Sequence, residues 1–222
     1  QFIATEKYDA TYSYKKEKGY FPGVVSIGSV PVYIEGRNGN CNVKTAQLAT
    51  HQRAIEALAN QKVFPNRARM DAGSYIKEVI DFFHSKNILF TIRANQSHAL
   101  LESASGNKDW SKSTIGIQDM EVTSLAYLFG DAVHRVVAYR VANKSKQINT
   151  TTKDAFKYMF IITNDWDISE KQVIEYYNAR GASEKIFDIQ NNDFNWNCMP
   201  HSFLEENTVY LIIMAIAHII YK

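Results

Sequence analysis

Ala68-Arg69-Met70-Asp71-Ala72-Gly73-Ser74-Tyr75 is the stretch on which the fold turns. It predicts a short strand ending in Asp71 and followed by a glycine turn, so that the carboxylate projects from the carboxyl edge of a sheet. Ligands of open α/β sheets bind at that edge. Residues 75–85 follow as an amphipathic helix with Ile76, Val79, Ile80 and Phe83 on one face, and residues 88–93 (ILFTIR) as another strand. Upstream, residues 20–27 and 30–35 are β-branched and aromatic, separated by Gly28-Ser29, a two-residue hairpin signal. Arg37-Asn38-Gly39-Asn40 turns the chain, and residues 43–61 carry apolar positions at mostly helical spacing, with Asn42 placed as N-cap. Strand, strand, helix, strand, helix, strand makes an α/β layer with a mixed sheet.

Downstream the character changes. Polar loops at 103–113 and 143–153 flank β-like pieces at 116–122 and 133–141, which reads as a β-rich insertion. Residues 156–163 (FKYMFIIT) form a buried strand, and Ser169 begins a long helix bearing Val173, Ile174, Tyr176 and Tyr177. The expected organisation is therefore a first core segment at 1–93, an insertion at 94–155, and a return to the core at 156–222. The apolar run 208–221 (TVYLIIMAIAHIIY) is shorter than the ~20 residues of a membrane span and contains His218, so a buried C-terminal helix is expected. Gln1 is not an initiator Met and Lys222 directly follows the apolar run, so the natural chain is expected to extend further.

Composition narrows the classes. With 222 residues, 45% hydrophobic and 22% charged, disorder and low-complexity architectures are excluded. Twenty-five Lys+Arg against 23 Asp+Glu give +2, too balanced to argue nucleic-acid binding from charge. The 2 cysteines exclude a four-thiolate zinc site and a disulfide scaffold, which favours a reducing, cytosolic setting. The 6 histidines are scattered, none paired at metal-ligand spacing. There is no Gly-rich phosphate loop, no G-x-S-x-G and no H-E-x-x-H, which disfavours nucleotide-driven work and serine hydrolysis.

The candidate chemistry lies in a few side chains. Tyr177, Arg180 and Glu184 are spaced three and then four residues apart, which puts a phenol, a guanidinium and a carboxylate on one helix face. A surface Arg–Glu pair with a packing Tyr explains that stripe equally. Arg69 shares a strand face with Asp71 and suits either a phosphate contact or a brace. Lys15-Lys16-Lys18 reads as a solvated flank before it reads as a backbone-tracking patch.

The string Tyr177-x-x-Arg180-x-x-x-Glu184 resembles the signature around the third acidic residue of bacterial insertion-sequence transposases of the DDE type. Residues 69–75 are similar to the segment carrying their second acidic residue, and Gly19-Tyr20-x-Pro22 and Arg37-x-Gly39-Asn40 to the hairpin region ahead of it. The resemblance implies a ribonuclease-H-like mixed sheet flanked by helices, with a β-rich insertion before the last catalytic helix. It implies cleavage and strand transfer of transposon-end DNA, with Asp71 and Glu184 as catalytic metal ligands. Tyr177, Arg180, Lys185 and Arg69 become DNA contacts. Two Mg²⁺ or Mn²⁺ ions, double-stranded DNA of transposon ends and target, a homodimer in the active complex and a cytoplasmic, DNA-associated location without membrane follow from the same resemblance. A ribonuclease-H-like nuclease without strand transfer and a non-catalytic DNA-binding remnant are the alternatives.

Two departures qualify the match. Asn191 stands where the family has a lysine, leaving Lys185 as the candidate replacement. Asp9 is the sole aspartate ahead of the hairpin region, in a segment unlike a buried strand, so the first acidic residue is expected upstream of Gln1 in preference to Asp9. The chain alone is then expected neither to hold two metal ions nor to cut DNA. Among the aromatics, Trp110 and Trp166 lie between Asp71 and Glu184, where similar transposases stack a flipped base; burial is the commoner role.

Overall fold

The computed structural model describes residues 2–13, 16–42, 44, 46–143, 148 and 150–221, with backbone alone at 2–3 and 182–186. In chain order the strands are β1 (Phe2–Ile3), β2 (Thr11–Tyr12), β3 (Lys18–Tyr20), β4 (Gly23–Ile27), β5 (Val30–Glu35), β6 (Arg67–Met70), β7 (Leu89–Ala94), β8 (Ser111–Ile115), β9 (Gln118–Phe129), β10 (Ala132–Ala142) and β11 (Phe156–Thr163). The helices are α1 (Gln47–Asn60), α2 (Lys77–Ser85), α3 (His98–Gly106), α4 (Glu170–Asn178), α5 (Gly181–Asn192) and α6 (Leu204–Tyr221). The chain divides into two compact units, residues 1–64 with 181–222, and residues 65–180.

The second unit is an α/β layer around a six-stranded mixed sheet of order β6-β7-β11-β10-β9-β8. Strands β6 and β7 are parallel, with α2 as their crossover, and every other pairing is antiparallel. Helices flank this sheet, an arrangement compatible with a ribonuclease-H-like fold. Alternation assigns the faces. Met120, Val122, Val137, Tyr139 and Ile161 pack with Val173 and Ile174 of α4. Residues one step along, among them Ile92, Val136, Ala138, Phe160 and Ile162, are buried on the opposite face. Segment 94–155 supplies α3 and adds β8, β9 and β10 to the same sheet as β6, β7 and β11.

The first unit holds the small sheet β1-β3-β2, the hairpin β4-β5, and helices α1, α5 and α6. Its core gathers Ala4, Ala10, Tyr20, Trp196, Met199, Leu211 and Ala215. Gly28 takes φ 59°, the left-handed value the hairpin turn requires. Gly39 answers to space instead: a Cβ there would stand 2.4 Å from the Thr11 carbonyl oxygen and 2.5 Å from that of Gly19.

Several boundaries differ from expectation. Helix α1 begins at Gln47, because the Asn42 side chain accepts from Lys44 N–H in a local turn and Ala46 is left-handed at φ 61°. Residues 43 and 45 lie outside the described residues. Helix α3 occupies part of a stretch read as loop, where Ser97 caps Leu100 N–H and Leu100, Leu101 and Ala104 are buried. The helix after Ser169 is not long. It ends at Asn178, and α5 starts at Gly181, so Tyr177 and Arg180 do not share a continuous helix with Glu184. Helix α6 is only partly buried. Asn207, Leu211, Ala215 and His218 face inward, whereas Val209, Ile213, Ile216 and Ile220 are exposed. By length and hydropathy, α6 is the one described helix that could cross a membrane.

His134 on β10 is 2% exposed, and its Nε2 finds no hydrogen-bond partner among the described residues. Burial first, then the neighbouring His84, hold its imidazole below the usual histidine range against a smaller pull from Asp81. The unfolded chain, at an ordinary ~6.5, therefore binds this proton more readily than the folded one. Stability from His134 is complete above about pH 6.5 and is lost as pH falls, until the depressed folded value is passed. Urea unfolding from pH 7.5 to 5 should show stability rising with pH, and His134→Leu should flatten that slope; an equal slope in the variant would refute the assignment.

Candidate active site

Asp71 follows β6 with its backbone still extended (φ −78°, ψ −179°), so strand alternation carries to it and puts it on the face of Arg69 and α4. Its Oδ1 accepts from Gly73 N–H at 2.9 Å, capping a single 3₁₀ turn at Ala72–Ser74. The residue is exposed. A fixed carboxylate open to solvent at the carboxyl end of a strand is placed to meet a ligand.

Helix α4 starts in a reciprocal capping box between Ser169 and Gln172. Val173 and Ile174 bury its inner stripe, and Tyr177 packs partly against the same cluster. The Arg180 guanidinium lies 5.9 Å from the Tyr177 ring centroid. Sequence reasoning missed what holds the helix end. Both Arg67 and Arg69 lie over the Tyr176 ring, at 5.2 and 4.9 Å from its centroid. Arg69 also donates to the Tyr176 carbonyl at 2.6 Å, and Arg67 forms an ion pair with the buried Asp165. The i, i+2 arginines on β6 were the only trace of this in the sequence.

Within residues 65–180 the structure thus brings together Asp71's strand, Arg69, Tyr177 and Arg180. Glu184 and Lys185 ride on α5 in the other unit, and their side chains lie outside the described residues. Among the described residues no group of three or more His, Cys, Asp or Glu could hold a metal ion. The Asp71 carboxylate still suits a hard cation: it is exposed, and the one hydrogen bond described for it engages only Oδ1.

Asp9 has structural work. Its Oδ2 accepts from Leu204 N–H at 2.8 Å, capping α6 across 195 residues of sequence, and its Oδ1 accepts from the Tyr20 hydroxyl. Burial first and Asp9 next push the Tyr20 phenol above its ordinary range, keeping it a donor. Trp110 is also engaged: its Nε1 donates to the Asn107 carbonyl, and Arg140 sits 4.2 Å from the ring centroid. Trp166 is 55% exposed. In the lysine cluster, Lys18 lies over the Tyr12 ring and Lys16 is exposed; Lys15 lies outside the described residues.

Fold and candidate residues together describe an α/β domain with an exposed carboxylate after β6 and a phenol–guanidinium pair at the end of α4. Residues 4–222 match the family described as transposase DDE domain group 1. The chain belongs to that family, a transposase domain that acts on DNA. No curated protein matches it.

Asp9→Ala should lower the unfolding free energy by about 1–3 kcal/mol, because a helix cap and the partner of a buried hydroxyl disappear together. Urea denaturation measures it, and a variant as stable as wild type would return Asp9 to the candidate metal ligands.

Proposed function

We propose that this domain cleaves transposon-end DNA with a divalent metal and joins the freed 3′ end to target DNA. The observation that carries the reading is the Asp71 carboxylate, fixed by Gly73 N–H and exposed beyond the end of β6. Family membership over residues 4–222 supplies the class of reaction. Asp71 and Glu184 would hold Mg²⁺ or Mn²⁺, whose oxygen-seeking chemistry makes a water or a DNA 3′-hydroxyl nucleophilic at neutral pH.

The chain's own residues then have distinct tasks. Arg180 offers paired hydrogen bonds to phosphate oxygens, which fixes the scissile phosphate. Tyr177, whose ring lies under that guanidinium, adds a hydroxyl for the DNA backbone. Lys185 would add a point charge to the same strand. In hydrolysis, water oxygen bonds to phosphorus as the bond to the 3′ oxygen breaks, and the leaving oxygen takes a proton. In strand transfer the 3′-hydroxyl oxygen bonds to a target phosphorus as that phosphorus loses its bond to the target 3′ oxygen; the attacking hydroxyl gives its proton to solvent and the leaving oxygen takes one up. A homodimer in the active complex would bring two ends together.

Asp71→Asn and Glu184→Gln keep shape and remove one ligand charge each. In the full-length protein with Mg²⁺ either should reduce end cleavage to background while circular dichroism stays unchanged; near wild-type cleavage by either would refute the assignment. Cleavage without joining to target DNA would select the nuclease alternative. Arg180→Ala should weaken end binding and reduce the slope of log affinity against log salt by about one phosphate contact. An unchanged slope would make Arg180 a surface residue.

A further inference from the structure

We propose that Arg69 is a positioning residue that closes the C-terminal end of α4 and so sets Tyr177 and Arg180 relative to Asp71, rather than a contact to nucleic acid. In a continuing helix the Arg180 amide would bond to the Tyr176 carbonyl. Here Arg180 N–H turns to the Tyr177 carbonyl at 2.9 Å, while Ala179 N–H reaches Glu175 at 3.0 Å. The Tyr176 carbonyl becomes one of the orphan acceptors of an ending helix. Arg69 Nη1 donates to that oxygen at 2.6 Å. Such a bond is charge-assisted, and the cation also meets the negative end of the helix dipole.

The same guanidinium lies over the Tyr176 ring. Arg67, also over that ring, has its charge matched by Asp165, which is only 4% exposed. Arg69 is therefore the cation left to serve the helix end. Its place in the chain gives the contact its consequence. Asp71 is two residues further along the same extended backbone, and Tyr177 directly follows the residue whose carbonyl Arg69 holds. One side chain thus links the strand that presents the carboxylate to the turn that presents the phenol and the guanidinium. Without it the Tyr176 carbonyl loses its partner and the turn after α4 loosens, which frees Tyr177 and Arg180 from the positions Arg69 sets. A shift of ~1 Å in a positioned group costs on the order of 10²-fold in rate.

The catalytic consequence rests on the DNA-cleavage reading; the helix-closing contact does not, and the test separates them. In the full-length protein, Arg69→Ala should slow cleavage of pre-bound end DNA by about 10–100-fold. Because Arg180 moves with the helix end, end binding should fall no further than in Arg180→Ala, and in the double variant Arg69→Ala should add no further loss to the salt slope. Arg69→Lys, which keeps a cationic donor for one carbonyl, should recover most of the rate, and it keeps the test informative if the alanine variant fails to fold. Hydrogen exchange at the amides of residues 179–181, read without any cleavage, should accelerate in Arg69→Ala and return toward wild type in Arg69→Lys. A salt slope reduced by about one further contact in the double variant would overturn the proposal in favour of a direct phosphate contact. Unchanged cleavage or unchanged exchange in Arg69→Ala would overturn it as well. Should the wild-type protein not cut DNA at all, the functional reading fails, and the exchange measurement alone upholds or overturns the role of Arg69.

Discussion

Helix α4 is fastened to the sheet at both ends by arginines, and the candidate site in its unit depends on that fastening. At the N-terminal end Arg135, buried in β10, donates to the carbonyls of Asp165 and Ile168 at 2.9 and 2.6 Å and pairs with Glu170. At the C-terminal end Arg69 donates to Tyr176. Between them the apolar stripe of Val173 and Ile174 supplies burial but little direction, because hydrophobic contact is non-directional. Hydrogen bonds to fixed carbonyls supply the register. The loop before α4 is tied down in the same way: Asn164 bridges the Phe90 amide and the Ile88 carbonyl, and the Thr163 hydroxyl donates to the Phe90 carbonyl.

Aspartates of similar sequence appearance do different jobs, and environment divides them. Asp165 is buried and matched by Arg67, so its charge is spent inside the unit. Asp9 uses one oxygen on the first amide of α6 and the other on Tyr20. Asp71 uses one oxygen on the backbone two residues ahead and stands in solvent. Only the last arrangement leaves a carboxylate open to an incoming cation or phosphate-bearing ligand. Burying polar oxygens without hydrogen-bond partners is costly, and the buried Asp165 and half-buried Asp9 both come with donors attached.

Aromatic side chains follow a similar division. Trp110, Phe156 and Tyr158 surround the Arg140 guanidinium, which also pairs with Glu121. That cluster joins β9, β10 and β11 to the residues just ahead of β8 and consumes the ring face of Trp110. Trp166 keeps an open surface in the loop that Arg135 anchors. Family membership fixes what kind of protein this is, a DDE transposase domain, while such local contacts decide which of its side chains remain available to DNA.

Much of the scaffold was legible in the sequence because local forces write it there. The β4–β5 turn at Gly28, the strand into Asp71, the buried strand β11 and the Ser169 start of α4 all rest on neighbours within a few residues. The α/β class with a mixed sheet followed from their order. Other features needed distant partners. Asp9 caps a helix 195 residues away, and Arg69 meets a carbonyl 107 residues away. The end of α4 was hidden for that reason: the spacing of Tyr177, Arg180 and Glu184 continues a helix, whereas the structure ends α4 at Asn178 with the Tyr176 carbonyl held by Arg69. Helix α3 was obscured because its second half, Glu102-Ser103-Ala104-Ser105-Gly106, is small and polar, although Leu100, Leu101 and Ala104 are buried. In α6 the sequence set an apolar helix, while packing decided that one face, not both, would be covered. Periodicity is a property of neighbours along the chain. Which carbonyl, charge or ring face is already taken is a property of neighbours in space.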